Sequence, residues 1–328
     1  MRVSGFRQRS LWHVATLFAL YTWTVLAFPG RFHPTTTTSA RGFALPTKAI
    51  VRRFGNKAFS HKAILDKVTS GDEINALSLS HQDEIEEFLE SKSRDSHSSL
   101  LEDFHVQGWR WHTKSLARDA GRLHRLALKT DPKNAETLKD ASDYVVGFNL
   151  VGLHRIEGNL FFPWMRDKLV GGARGSLSKG FSSAMDALES DQRTVARLGT
   201  TISKKARLAC DNQAPESSRS DAIAEVANHS AELQKLVHRM ISIEDKVLVP
   251  AIGALVPTRE QKSFNNKVLR KLGLLDSRLH LVGMYETVFE DNDPLEKELF
   301  HQAIPGITRK LIPRWKRKLY QPKTYMME

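Results

Sequence analysis

The sequence contains a single cysteine, Cys210, among 328 residues. One thiol cannot form an intramolecular disulfide, so a disulfide-stapled secreted fold is excluded and a reducing final compartment is expected. The sequence also lacks a glycine-rich phosphate loop and any Ser-His-Asp or Cys-His motif. Phosphate-loop chemistry and nucleophilic catalysis by a triad therefore have no recognisable basis in this chain.

Acidic residues are missing from the first part of the chain, where Asp66 is the first to occur. The ten Lys and Arg residues before it account for most of the net charge of +12. From Arg309 onward seven more cations accompany one acid, Glu328, which leaves residues 66–308 with a net charge of −4. Nucleic-acid binding needs a clustered basic face, so no nucleic-acid partner is expected for this mildly acidic body.

The N-terminal segment has the composition of a targeting sequence. Residues 1–27 combine three arginines, an apolar run from Leu11 to Leu26 and a small residue, Ala27, at the expected cleavage site of a signal peptide. Residues 28–55 contain no acid and are rich in Thr, Arg, Lys and Ala, which is typical of a transit peptide. This pairing, with Phe28 after the cleavage site, resembles the two-part plastid-targeting sequence of diatoms and related algae. We expect the plastid stroma, with the secretory pathway as the alternative.

The body of the chain shows helical rather than strand periodicity. Apolar residues recur at helical spacing in several long windows, and the alternating, turn-bounded pattern of strands is missing. We therefore predict an all-α fold, an up-down four-helix bundle with additional C-terminal helices. A helical lead-in and linker are expected over residues 56–104, the bundle over 105–250 and a helical extension with a basic tail over 251–328. The four bundle helices are predicted at about 105–129, 134–168, 176–209 and 219–248, with Pro250 ending the last one.

Several polar residues fall on the apolar stripes that should face the bundle core. These are His112 in the first helix, His154 with Glu157 in the second, Asp191 in the third and Asp245 in the fourth. Helical bundles hold iron with imidazole and carboxylate groups that enter the core from different helices. An unpaired buried carboxylate would be costly, so a metal, a cation partner or a raised pKa has to explain each one.

Two runs make the interpretation more specific. Residues 153–163, LHRIEGNLFFP, resemble the HHxxEExxLFP-like run of hemerythrin-like (HHE) proteins, and residues 240–250, MISIEDKVLVP, resemble their second run ending in Pro. The resemblance covers about residues 105–250. It implies an iron-binding four-helix bundle with a role in oxygen or redox sensing.

The ligand set that this resemblance implies is incomplete. Gly158, Asp191 and Ile241 stand where the family has a bridging Glu and two His residues. The remaining donors would permit a mononuclear centre similar to a two-His, one-carboxylate iron set. The predicted metal ligands are His112, His154, Glu157, Asp191 and Asp245.

Other interpretations of the same residues remain open. His112 and His154 are also consistent with core histidines that bond to neighbouring groups, and Asp191 with a cation partner across the bundle. The main alternative function is a metal-free helical module for interaction or structure, and an iron-dependent oxidase is a third. The basic tail from Arg309 to Tyr320 would bind an anionic membrane surface or a protein partner, or pack on its own domain.

Overall fold

The computed structural model of the protein describes residues 84–92, 101–272 and 274–328. All of them belong to the second of two compact units, Gly71–Glu328. The predicted signal and transit segments, residues 1–55, lie outside the described residues. Helices and turns make up the described part of the chain, which contains no β-strand, and the predicted all-α class is confirmed.

The helices follow one another with short connections. Helix α1 covers residues 84–92, and α2 covers Gln107–Ala127. Helix α3 is a continuous run of α-helical and π-helical segments: Ala135–Ser142, Asp143–Leu150, Val151–Ile156, Glu157–Phe161, Phe162–Met165 and Arg166–Val170. Helix α4 covers Gly175–Ala209, and α5 comprises Glu216–Ile243, Glu244–Leu248 and Val249–Leu255. The C-terminal extension contains α6 (Thr258–Leu272), α7 (Leu274–Glu290), α8 (Pro294–Ala303) and α9 (Gly306–Trp315, Lys316–Tyr320 and Gln321–Thr324), before a final 3-10 turn, Tyr325–Met327.

Wide π-helical turns let three of these helices pass a proline. The turns and their prolines are Glu157–Phe161 before Pro163, Glu244–Leu248 before Pro250 and Lys316–Tyr320 before Pro322. A proline inside a helix donates no N–H, and its ring clashes with the carbonyl four residues earlier. A π turn adds one residue and shifts the carbonyls, which relieves that conflict. The prediction that Pro250 ends the fourth helix is therefore wrong, because α5 continues to Leu255.

Neighbouring helices run in opposite directions. Between α2 and α5, Arg110 pairs with Asp245 at one end, and His124 bonds the carbonyl of Ala227 towards the other. Helices α2 and α5 are therefore antiparallel. Helices α2 and α3 are also antiparallel, since Trp109 bonds Glu157 and His112 bonds Asn149. The same holds for α3 and α4, where Ser178 bonds Val170 and Gln192 bonds Glu157. It holds for α4 and α5, where Asp191 pairs with Arg239 and Lys205 with Glu225.

The C-terminal extension packs on this body. Helix α7 lies along α2, and the ring of Phe300 on α8 lies 5.1 Å from that of Trp111. In the basic tail the apolar side chains of Ile312, Trp315 and Tyr320 are buried. The opposite face of α9 exposes the cations Lys310, Arg314, Arg317, Lys318 and Lys323. No helix in the described part of the chain has the length and apolar character needed to span a membrane.

Candidate functional site

Two buried glutamates point into the interior of the bundle from equivalent positions of two helices. Glu157 begins the π turn of α3 and Glu244 begins the π turn of α5, and both are fully buried. Trp109 Nε1 and Gln192 Nε2 donate hydrogen bonds to Glu157 over 3.1 and 2.8 Å. Thr113 Oγ1 donates to Glu244 Oε1 over 3.3 Å, while Glu244 Oε2 is buried with no hydrogen-bond partner among the described residues.

Burial controls the protonation of this pair. Burial raises the pKa of Glu157 to about 7, although the donors Gln192 and Trp109 favour its charged form. Burial also raises the pKa of Glu244 well above its ordinary value, and the charges of Glu157 and Asp245 add to this effect. Both effects favour the protonated form of Glu244 over its charged form.

A hydrogen-bonded chain fixes the state of His112. Asp119 is fully buried, and its Oδ2 accepts a bond of 2.9 Å from Asn149 Nδ2. Because a carboxylate only accepts, the amide of Asn149 turns its oxygen towards His112, whose Nε2 lies 2.9 Å from Oδ1. That geometry assigns the proton to Nε2 of His112. Burial lowers the pKa of His112 to about 4, against the favourable bond to Asn149, so the ring is neutral.

The C-terminal extension adds a second imidazole beside His112. The ring of His280, on α7, lies 4.4 Å from that of His112 and stacks at 4.3 Å on Phe148 of α3. A Cβ atom built on Gly152 would come within 2.5 Å of the His280 ring, so α3 needs a glycine here for α7 to approach. The His280 Nε2 is buried without a hydrogen-bond partner among the described residues, and burial lowers its pKa well below the ordinary value.

His154 is a further imidazole of α3. The residue as a whole is partly exposed, but its Nε2 is buried and makes no hydrogen bond within the described part of the chain. Burial, followed by repulsion from His112, lowers the pKa of His154 to about 4. Like the other two imidazoles it is neutral at physiological pH.

The two predicted aspartate ligands are held by arginines. Arg239 on α5 binds both carboxylate oxygens of Asp191, with Nε at 2.7 Å from Oδ2. Arg110 Nε donates to Asp245 over 2.5 Å, and the Asp245 side chain keeps 31% of its surface exposed. Arg110 also pairs with Glu296 of α8 at 2.5 Å, which ties the C-terminal extension to this edge of the interior.

These contacts decide how well the predicted donors fit a metal. Every carboxylate of the predicted set accepts hydrogen bonds from protein side chains, and the His112 Nε2 carries a proton directed at Asn149. Among the described residues, no group of three or more His, Cys, Asp or Glu side chains is arranged to hold a metal ion. The structure thus places four of the five predicted ligands in separate pairings, and His154 makes none with a described residue. Iron binding by them stays a prediction from the sequence.

Several residues of this interior were not predicted from the sequence. Glu244 lies on the stripe Val237, Met240, Glu244 and Leu248, whereas the predicted stripe ran through Ile241 and Asp245. The spacing of buried residues from Val226 through Leu233 to Val237 continues to Glu244 and was a usable signal. For Asp119, Asn149 and His280 the signal is tertiary, because their roles depend on contacts between helices far apart in sequence.

The comparisons with known proteins do not supply an identity for this arrangement. No protein-family model, no curated protein and no solved structure matches the chain. The function therefore has to be argued from the geometry of the interior and of the surface.

Proposed function

We propose that this protein is a hemerythrin-like up-down four-helix bundle, formed by α2 to α5, that works as a metal-free structural or interaction module. The opposed directions of successive helices support the bundle topology. The two runs ending in Pro163 and Pro250 support the family resemblance, since each forms a π turn that begins with a buried glutamate.

The observation that carries the metal-free assignment is the pairing of Asp191 and Asp245 with Arg239 and Arg110. A guanidinium bound to a carboxylate occupies the lone pairs that a metal would use and places a positive charge beside it. Removing Arg239 would leave the buried carboxylate of Asp191 without its cation. An interior built this way stabilises the bundle through its own side chains.

Elemental analysis tests this function. The full chain, produced in iron-supplemented medium and purified without chelators, should contain well below one iron per molecule, and His154→Ala should not change that value. One or more iron atoms per chain that are lost in His154→Ala would overturn the metal-free assignment and restore the iron-binding, oxygen-sensing or redox-sensing alternative.

A specific surface favours an interaction role for the module. The exposed cations of α9 form no ion pair with other described residues, whereas the partly buried Lys316 pairs with Glu286. Anionic lipid attracts each such cation by about 1 kcal/mol near the surface. Cosedimentation with vesicles that contain anionic lipid, compared with neutral vesicles, tests this surface. Binding only to the anionic vesicles, lost when Arg314, Arg317 and Lys318 are changed to Gln, is the expected result, and equal binding to both kinds of vesicle would contradict it.

The location of the module rests on the N-terminal segment. We propose delivery to the plastid stroma, supported by the acid-free composition of residues 1–55 and by Phe28 after the expected cleavage site. Residues 1–55 fused to a fluorescent protein should enter the plastid of an alga with a red-lineage plastid, and removal of 28–55 should divert the fusion to the secretory pathway. Secretion of the intact fusion would contradict this proposal.

A further inference from the structure

A second candidate site lies outside the bundle interior, between the helices of the C-terminal extension. A pocket of about 390 Å³ is open to solvent between α7, α8 and α9. Volumes of this size are at the lower end of those that take small molecules. None of its lining residues is acidic, and none belongs to the polar interior described above.

One side of the pocket is aromatic. The rings of Tyr285 and Phe289, one turn apart on α7, stack with centroids 4.3 Å apart. Phe300 of α8 is fully buried and meets both rings edge-on, at 5.7 Å from Tyr285 and 6.1 Å from Phe289. The buried ring of Phe300 thus holds Tyr285 and Phe289 in a fixed arrangement. These two partly exposed rings form a preformed surface for a flat apolar group.

The other side of the pocket is cationic. Arg309 and Lys310 line it from the first turns of α9, and neither forms an ion pair with a described residue. The Nε of Arg309 is buried and has no hydrogen-bond partner in the described part of the chain. A buried donor without an acceptor costs free energy, so an anionic group that accepted its hydrogen bond would be favoured.

The N-terminus of α9 also favours an anionic ligand in this pocket. Helix α9 starts at Gly306, which lines the pocket, after Pro305 with no capping side chain. The first hydrogen bond of this helix is donated by the Arg309 N–H to the Pro305 carbonyl, so the preceding N–H groups are not used inside the helix. Such a helix end favours an anion.

We infer that this pocket binds a small aromatic molecule that carries an anionic group, with its ring on Tyr285 and Phe289 and its anion at Arg309 and Lys310. The aromatic surface alone would select any apolar molecule, and the cations alone would select any anion. Their position on opposite sides of one pocket is what selects a molecule with both features. This inference is independent of whether the bundle interior binds metal.

Isothermal titration calorimetry with phenyl phosphate on the full chain tests the inference. Phenyl phosphate should bind at least ~10-fold more tightly than inorganic phosphate and than benzyl alcohol, since each of those lacks one of the two features. Arg309→Gln should weaken phenyl phosphate binding by about 10-fold or more. Lys310→Gln, at an exposed position where folding is not at risk, should weaken it several-fold.

Lys267→Gln is the matched control, because Lys267 is an exposed cation of α6 that does not line the pocket and has no part in the cationic face of α9. It should leave the affinity for phenyl phosphate unchanged within about two-fold. The inference is overturned by undetectable binding of phenyl phosphate at millimolar concentration, or by inorganic phosphate or benzyl alcohol that binds as tightly. It is equally overturned if Lys267→Gln weakens binding as much as Arg309→Gln and Lys310→Gln do.

Discussion

Replacing the buried Glu157 by Gln should stabilise the protein in a pH-dependent way. Burial raises the pKa of this carboxyl from 4.5 to about 7 in the folded state. The folded protein thus holds the proton more tightly than the unfolded chain. Below pH 4.5 the carboxyl is protonated in both states and does not lower the free energy of unfolding. Its ionisation lowers that free energy as the pH rises from 4.5 to 7, and the reduction persists above pH 7. At about 1.4 kcal/mol per pKa unit, the ionised carboxylate costs about 3 kcal/mol at pH 8.

In the E157Q variant the amide oxygen accepts from Trp109 Nε1, and the NH2 group donates to Gln192 once the Gln192 amide turns its oxygen towards it. The amide carries no charge, so this variant escapes the cost. Urea unfolding followed by circular dichroism, with a chelator present, should give equal stabilities for variant and wild type near pH 4.5. The variant should become more stable by about 3 kcal/mol at pH 8. Glu298→Gln, at an exposed glutamate of α8, is the matched control, and its difference from wild type should not grow with pH. A difference for E157Q that is flat with pH, or that falls, would refute the assignment of Glu157 as a buried acid whose ionised form has no cation partner.

Three further changes probe the packing and the ion pairs. Gly152→Ala should destabilise the protein by about 1–3 kcal/mol in urea unfolding, because the new Cβ meets the His280 ring, and adding His280→Ala should recover most of the loss. Gly158→Ala, at an exposed helical position where a Cβ meets nothing within 4 Å, should be neutral or stabilise by up to about 1 kcal/mol, and a loss equal to that of Gly152→Ala would contradict the packing described. Arg239→Gln should cost about 1–2 kcal/mol at pH 7, since it leaves the buried Asp191 unpaired while Arg239 itself is partly solvated, and a stability equal to wild type would contradict a stabilising pair.

The sequence correctly predicted that the chain is helical and which residues of α2 face the interior. Helix α2 is regular, so the 3.6-residue period correctly placed Trp109, His112 and Leu116 in the interior. In α3 the period failed, since π turns shift the register and leave Gly158 exposed, although the resemblance places a bridging ligand at this position. A proline in the sequence does not by itself predict a π turn, because proline usually ends a helix.

The candidate site could be predicted only in part. The sequence indicated that His112, Glu157 and Asp191 lie in the interior, and they do. Their partners come from other helices, as with Arg239 for Asp191 and Asn149 for His112, and no local pattern encodes which cation or amide will be within reach. The resemblance to hemerythrin-like proteins supplied a ligand set but not these pairings, which depend on the packed positions of whole helices.

Nitrogen-15 NMR of the histidine rings tests most directly the claim that side chains, rather than a metal, complete the interior. The protein is labelled with ¹⁵N-histidine, His112 is assigned with a His112→Gln variant, and spectra are recorded at pH 7 before and after one equivalent of Zn²⁺. We predict a neutral His112 ring with its proton on Nε2, bonded to Asn149, and no change on addition of the metal. A His112 or His154 ring nitrogen that shifts to a metal-bound position at one equivalent would contradict the account.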